Sequence, residues 1–266
     1  MQTEQFTDGD SRSPLTIGMM AKYWLAGHVK TRLAQAIGAE PAALIHREFT
    51  LFLCESLSQT DANRFLCLDP ISRKRDVNCE LDSRNLTGKW NLEEQADGDL
   101  GDRMSKWFDN HLRPPPDSTE YSVLIGCDSP LINSTHIESA YQGLCQADVV
   151  LGPARDGGYY LLGIRSTVSQ EARALLFSNM QWSTHTVLSE TRKRLRENGL
   201  TWHELSEHED IDTIFDLRRL LKHVEDSRLS DPLNLNTARK TLLAKRIQSI
   251  VKRCPSDAKA ILYDCC

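Results

Sequence analysis

The chain of 266 residues is predicted to form an α/β domain, with a mostly parallel sheet covered by helices on both faces. Three observations carry this. Short continuous apolar runs, above all YSVLIGC at 121–127, read as strands buried on both faces. These runs alternate along the chain with segments of helical period. The hydrophobic fraction of 40% and the charged fraction of 26% are ordinary for a globular domain, and the length supports one sizeable core.

Residues 15–21 (LTIGMMA) read as the first strand and 22–32 as a basic loop containing glycine. A helical turn at 33–37 is stopped by Gly38 and Pro41, and a full helix follows over 42–57. A second strand is expected at 64–71, a charged irregular stretch at 72–89, and a short third strand at 89–95. Helical character at 99–112 ends in the triple proline 114–116. After the strand 121–127 come a helix at 132–144 and strands at 148–153 and 158–164. A helix at 183–198 takes Ser183 as its N-cap and Gly199 as its stop. An edge strand at 200–205 and a helix at 213–225, capped by Asp212, complete a domain spanning 15–226. Residues 1–14 are polar and read as a disordered leader, and Ser230-Asp231-Pro232 reads as a turn. The extension 227–266 carries a basic amphipathic helix at 236–252, with apolar Leu242, Leu243, Ile247, Ile250 and Val251. It is expected to pack on the domain or on a second subunit in a homodimer.

Several function classes fall away. The net charge of −5 lacks the basic excess of a nucleic-acid binder. No apolar run approaches the roughly 20 residues that cross a bilayer, and the first residues do not resemble a signal peptide. The eight cysteines form no C-x-x-C pair, which speaks against zinc sites and disulfides and for a cytoplasmic location. Cys265 and Cys266 read as terminal thiols rather than a lipidation signal. The eight histidines form no H-E-x-x-H pattern and are expected mostly at the surface, and no G-x-S-x-G elbow occurs.

Four clusters can carry chemistry. Gly27-His28-Val29-Lys30-Thr31-Arg32 follows the first strand and enters a helix. It reads either as a phosphate site or as a solvated basic turn. Asp128 in Ile125-Gly126-Cys127-Asp128-Ser129-Pro130 directly follows the buried strand. There a carboxylate holds Mg²⁺ or Mn²⁺, or caps the next helix. Asp156-Gly157-Gly158 reads first as a hairpin turn, and second as a loop close to a sugar with Asp156 as base. Asp210 and Asp212, two residues apart, point the same way if extended, so one can join Asp128 at a metal; Asp212 equally suits a helix cap. Residues 95–104 (QADGDLGDRM) add glycines, acids and an arginine suited to a donor pocket.

In order, AK…GHVKTRL, QADGDLGDRM, VLIGCDSPL, VVLGPARDGGYYLLGI, WST and DIDT resemble the bacterial DUF2064 proteins over about 15–222. These are also described as arsenosugar-biosynthesis glycosyltransferases associated with radical-SAM/selenodomain proteins. The resemblance implies a GT-A, or nucleotide-diphospho-sugar transferase, fold, a nucleotide-sugar donor, a small-molecule acceptor and Mg²⁺ or Mn²⁺. Asp128 matches the acidic position at the metal, with Asp210 and Asp212 in the DIDT segment. Lys22, Lys30 and Arg32 match the basic first loop expected near the phosphates, and Gly27, Gly157 and Gly158 are read with them as nucleotide contacts. Asp156 is the expected acceptor base. The family's P-x-P-G is replaced here by Trp24-Leu25-Ala26-Gly27, and the C-terminal helix has no counterpart. Glycosyl transfer is the leading expectation. Nucleotidyl transfer with release of pyrophosphate and a non-catalytic nucleotide-binding protein are the rivals.

Overall fold

The computed structural model describes residues 15–113, 118–230, 234–254 and 256–263. The leader 1–14, the triple proline, residues 231–232 of the expected turn and the two terminal cysteines lie outside the described residues. Seven strands form one sheet: β1 Leu15–Lys22, β2 Asn63–Asp69, β3 Asn91–Glu94, β4 Tyr121–Gly126, β5 Val149–Pro153, β6 Tyr159–Arg165 and β7 Trp202–Glu204. Their order is β3-β2-β1-β4-β6-β5-β7. β6 runs antiparallel to β4 and β5, and the other pairs are parallel.

The chain winds outward from β1 to β3, then returns to lay β4 on the other side of β1. That reversal opens a crevice at the carboxyl ends of β1 and β4, the usual ligand position in open α/β sheets. The β1–β4 register pairs Met20 with Gly126. Continued by two residues, it brings Lys22 alongside Asp128.

Ten α-helices lie among the described residues: α1 Thr31–Ile37, α2 Ala39–Leu57, α3 Lys74–Ser83, α4 Leu100–His111, α5 Ser134–Leu144, α6 Gln170–Phe177, α7 Val187–Glu197, α8 Ile214–Ser230, α9 Leu235–Val251 and α10 Ser256–Tyr263. α2 is apolar nearly all round because it is covered on two sides. Leu51, Leu53, Cys54 and Leu57 join the core under the sheet, while Ala42, Ile45, Phe49 and Phe52 meet α1, α8, α9 and α10. The opposite face is closed by α4, α6 and α7 through Trp107, Phe108, Leu176, Phe177, Leu188 and Leu195. Trp107 packs directly over Gly18 of β1, where a Cβ would stand 2.3 Å from its ring.

Four elements differ from expectation. The stretch 72–89 contains α3, whose apolar stripe is only Val77 and Leu81, too narrow to stand out among charges. Arg84 at its end is tied to Glu48 and Glu55 at 2.8 and 2.7 Å. α6 was not anticipated; Ser169 caps it by accepting from Ala172 N–H. The helix expected from residue 183 starts at Val187, and Ser183 instead adopts a left-handed backbone, φ +62°. α8 continues through residue 226 to Ser230, and Leu243, Ile247, Val251, Ala258 and Leu262 share one buried cluster with Leu33, Phe49 and Leu217.

Candidate functional site

A cleft of about 780 Å³ lies over the carboxyl ends of β1 and β4. Its walls include Lys22, His28, Lys30, His46, Gln95, Arg103, Asp128, Ser129, Tyr160, Asp210 and Asp212, drawn from six separate stretches of sequence.

Asp128 and the 210–212 segment meet through backbone pairing. His208 N–H donates to Pro153 O at 2.9 Å, Arg155 N–H to His208 O at 3.1 Å, and Ile211 N–H to Asp128 O at 3.0 Å. The segment therefore runs extended past the ends of β5 and β4. Ile211 is buried, and Asp210 and Asp212 on either side of it both turn to the cleft, as the period of two requires. Neither Asp128 nor Asp212 caps a helix. Asn133 caps α5, and Asp216 accepts from the N–H groups of Asp212 and Thr213 at the start of α8.

Lys30 sits beneath both carboxylates. Its Nζ is 2.5 Å from Asp128 Oδ1 and 2.9 Å from Asp212 Oδ1, with its side chain 2% exposed against 44% and 40% for the aspartates. Its backbone is left-handed, φ 46° and ψ 43°, which is costly for a residue with a Cβ and directs the side chain inward. Burial disfavours the ammonium, but Asp128 and Asp212 outweigh it and hold its pKa above the ordinary value. Burial likewise opposes the charge on Asp128; Lys30, then His46 and Lys22, reverse this and hold that carboxyl below its usual range. Lys30 was read as a phosphate contact. Its ammonium is instead covered and committed to carboxylates, which leaves exposed Lys22 and partly buried Arg103 as the cations at the open cleft.

His46, expected at the surface, is 4% exposed in the middle of α2. Its Nε2 lies 3.1 Å from the Lys22 carbonyl, which can only accept, so Nε2 carries the proton and Nδ1 keeps a lone pair. Nδ1 is buried without a hydrogen-bond partner, 3.8 Å from Asp128 Oδ1, the oxygen that Lys30 holds. Burial, aided by Lys30, lowers the imidazole pKa despite Asp128. The sequence held a signal for this: His46 shares a helix face with Ala42, Phe49 and Leu53 and so falls on an apolar stripe.

The unpartnered His46 Nδ1 bears on a metal. His46, Cys127 and Asp128 offer ligand atoms all within 4.8 Å of one another. Burial drives the Cys127 thiol well up, so it stays protonated and is a poor ligand. The carboxylate oxygens of Asp128 and Asp212 and the lone pair of His46 Nδ1 are a donor set that fits Mg²⁺ or, with its nitrogen, Mn²⁺. Asp210 is otherwise engaged: Ser129 Oγ donates to its Oδ1, and burial, with Asp128 and Asp156 nearby, pushes its pKa up to about 6.

The 95–104 segment reaches the cleft. Gln95 Nε2 donates to Ala21 O and Cys67 O at 3.1 and 2.8 Å, and Arg103 Nη1 spans Asp69 Oδ2 and Gln95 Oε1 at 2.8 and 3.1 Å. Other expected site residues stand apart. Gly27, Arg32, Asp156, Gly157 and Gly158 do not line the cleft. Arg32 is solvent-exposed on α1. Asp156 Oδ1 accepts from Gly158 N–H at 2.9 Å and closes its own turn, as the turn reading expects. Gly157, φ +91°, is demanded by packing: a Cβ would stand 2.1 Å from the His185 carbonyl oxygen. Of the residues given no role in advance, Ser129 stood inside the Asp128 cluster, whereas His46 and Asp69 carried no motif of their own.

The strand order and the acidic cleft at its reversal define a nucleotide-diphospho-sugar transferase fold. A chain of Desulfovibrio desulfuricans G20, provisionally described as a nucleotide-diphospho-sugar transferase, matches with a TM-score of 0.72 and 26% identity, over 90% of this chain and 98% of its own. The 4-diphosphocytidyl-2C-methyl-D-erythritol synthase of Anaerococcus prevotii DSM 20548 shares the fold at a TM-score of 0.50 and 12% identity, covering 77% and 95%. No curated protein sequence matches the chain. Residues 53–184 match the family described as "Uncharacterized protein conserved in bacteria (DUF2064)". No helix among the described residues is long and apolar enough to cross a membrane.

Proposed function

We propose that the chain is a glycosyltransferase that takes a nucleoside-diphosphate sugar and passes the sugar to a hydroxyl of a small-molecule acceptor. The observation that carries this reading is the convergence of Asp128, Asp212 and Lys22 on one cleft where β1 and β4 end. At about 780 Å³ it has room for a nucleotide sugar. The order of motifs and the likeness to the D. desulfuricans chain support the donor class.

In this reading the bond from the sugar's anomeric carbon to the β-phosphate oxygen breaks, and a bond from that carbon to the acceptor oxygen forms. The acceptor's proton passes to a carboxylate, and the nucleoside diphosphate leaves. Asp128 and Asp212, with His46 Nδ1 beside them, would hold Mg²⁺ or Mn²⁺, which when bound supplies Lewis-acid neutralisation of the diphosphate. Lys22 meets the phosphates from the open side, and Arg103, braced by Asp69 and Gln95, borders the donor. Asp156 was the expected base; Asp210 is the better candidate because it lines the cleft and Asp156 does not. A cytoplasmic location and small-molecule partners belong to the same proposal.

The test is a thermal-shift screen of UDP-, GDP-, CDP-, ADP- and dTDP-sugars with and without Mn²⁺, followed by product analysis. A raised melting temperature with one donor, and release of its nucleoside diphosphate, are expected. Release of pyrophosphate would instead mean nucleotidyl transfer. Stabilisation by a donor that Asp128→Asn leaves unchanged would mean a binding protein.

A further inference from the structure

Two carboxylates set to receive a divalent ion already share a cation belonging to the chain. Lys30 Nζ bridges Asp128 Oδ1 and Asp212 Oδ1 at 2.5 and 2.9 Å, almost fully buried beneath them. An independent observation marks the same spot as a ligand position: His46, buried with an unpartnered Nδ1, faces Asp128 Oδ1 from 3.8 Å. An ion on these oxygens would lie within a few ångströms of the ammonium, in partly desolvated surroundings where like charges repel strongly. A nucleoside diphosphate brings negative charge of its own and offsets that repulsion.

We infer that Lys30 is the resident cation of the Asp128–Asp212 pair, so that a free divalent ion binds weakly and the cleft takes the ion as its chelate with a diphosphate. This rests on the metal-assisted reading above and adds what selects the ligand. Free Mg²⁺ or Mn²⁺ is discriminated against, and binding of ion and donor is coupled. The chain accepts a left-handed backbone at Lys30 to place this charge, where a glycine would allow the turn without one.

The experiment is Mn²⁺ binding without nucleotide, followed by loss of the free-ion electron spin resonance signal. Lys30→Gln removes the charge but keeps hydrogen-bond donors for both aspartates. It should bind Mn²⁺ at least tenfold more tightly than wild type, whereas Lys30→Arg, which keeps the charge, should bind as weakly as wild type. Equal affinity in wild type and Lys30→Gln, or weaker binding in Lys30→Gln, overturns the inference. The wild-type chain gives a second readout if the variant does not fold. Millimolar Mn²⁺ alone should leave the melting temperature unchanged, and so should inorganic pyrophosphate alone, while the two together raise it. A rise with Mn²⁺ alone equal to that with both overturns the inference. Absence of Mn²⁺ binding under every condition, with a nucleotide sugar still stabilising the chain, overturns it too and leaves the donor assignment standing. Loss of all nucleotide-sugar binding counts against the proposed function itself.

Discussion

Ile211 donates its backbone N–H to the carbonyl of Asp128 at 3.0 Å, across 83 positions of sequence, and this backbone bond sets the two acidic segments of the cleft side by side. Asp128 thus has two separable roles. Its backbone anchors the 210–212 segment, and its side chain serves the cleft. A side-chain substitution should cost function far more than stability.

Asp128→Asn keeps the carbonyl and leaves Lys30 paired with Asp212. The side chain is 44% exposed, so the lost ion pair is worth roughly 1 kcal/mol, a fall of about 2–4 °C in melting temperature. Transferase activity should fall at least about 100-fold, the loss of roughly 3 kcal/mol of transition-state stabilisation. Melting curves with and without Mn²⁺ and donor check both halves. Collapse of the apo protein would make Asp128 a structural residue.

His46→Leu removes the donor that satisfies the Lys22 carbonyl and the nitrogen facing Asp128. An unsatisfied buried carbonyl costs about 1–3 kcal/mol, so the urea midpoint should fall accordingly. Mn²⁺ affinity in the presence of pyrophosphate should fall as well. Retention of full affinity would remove His46 from the ligand set.

Most of the fold was legible because it is written in local patterns. The buried strands are short apolar runs, and the helices at 42–57, 99–112 and 132–144 stand between them where the pattern turns helical. What was hidden depended on partners far along the chain. Lys30 looks like any basic loop residue until Asp212 arrives from 182 positions away. The pattern Asp-x-Asp at 210–212 correctly implied two side chains on one side, but not that Ser129 would take one and Lys30 the other. Asp156-Gly157-Gly158 carried a turn signal that the structure bears out, and the same residues suit a site as well, so the sequence alone could not separate the two readings.

The His136–His208 pair sets a pH dependence. Their Nε2 atoms are 2.8 Å apart, so one proton must lie between them, while His136 Nδ1 lies 2.8 Å from Asn133 Oδ1 and 3.2 Å from Asn133 N. Burial, then His208 and Lys240, lowers His136 from 6.5 to about 4; burial, Lys240 and His223 lower His208 as well. With the folded pKa below the unfolded one, the unfolded chain takes up the proton first. Stability contributed by the neutral pair is complete above about pH 6.5 and is lost as pH falls toward 4. Urea midpoints at pH 7.5, 6 and 5 should drop for wild type, and drop less for His136→Gln. Parallel profiles would show that the pair is not the titrating element.

Asp210 works in the opposite sense. Its folded pKa of about 6 lies above the ordinary 3.8, so its contribution favours the fold at low pH and is lost as pH rises through 6. Above that, a largely buried carboxylate beside Asp128 is a standing cost. Asp210→Asn should therefore stabilise the apo protein at pH 8, by on the order of 1–3 kcal/mol, while it abolishes turnover. A higher melting temperature with no product would be the signature of a site residue; a lower one would mean that its bond from Ser129 matters more than its charge.

Gly157→Ala separates a packing residue from a nucleotide contact. The backbone there is left-handed, φ +91°, and the new Cβ would meet the His185 carbonyl oxygen at 2.1 Å, so the 154–158 turn and the start of α7 must move apart. The strain should cost roughly 2–3 kcal/mol, visible in the urea midpoint. β6 leaves this turn and carries Tyr159 and Tyr160 to the cleft wall, but Gly157 does not itself line the cleft. In the folded protein at low temperature, donor affinity should change less than threefold. A loss of tenfold or more, with the fold intact by circular dichroism, would return Gly157 to the nucleotide-binding residues and place the donor's phosphates against the 156–158 backbone.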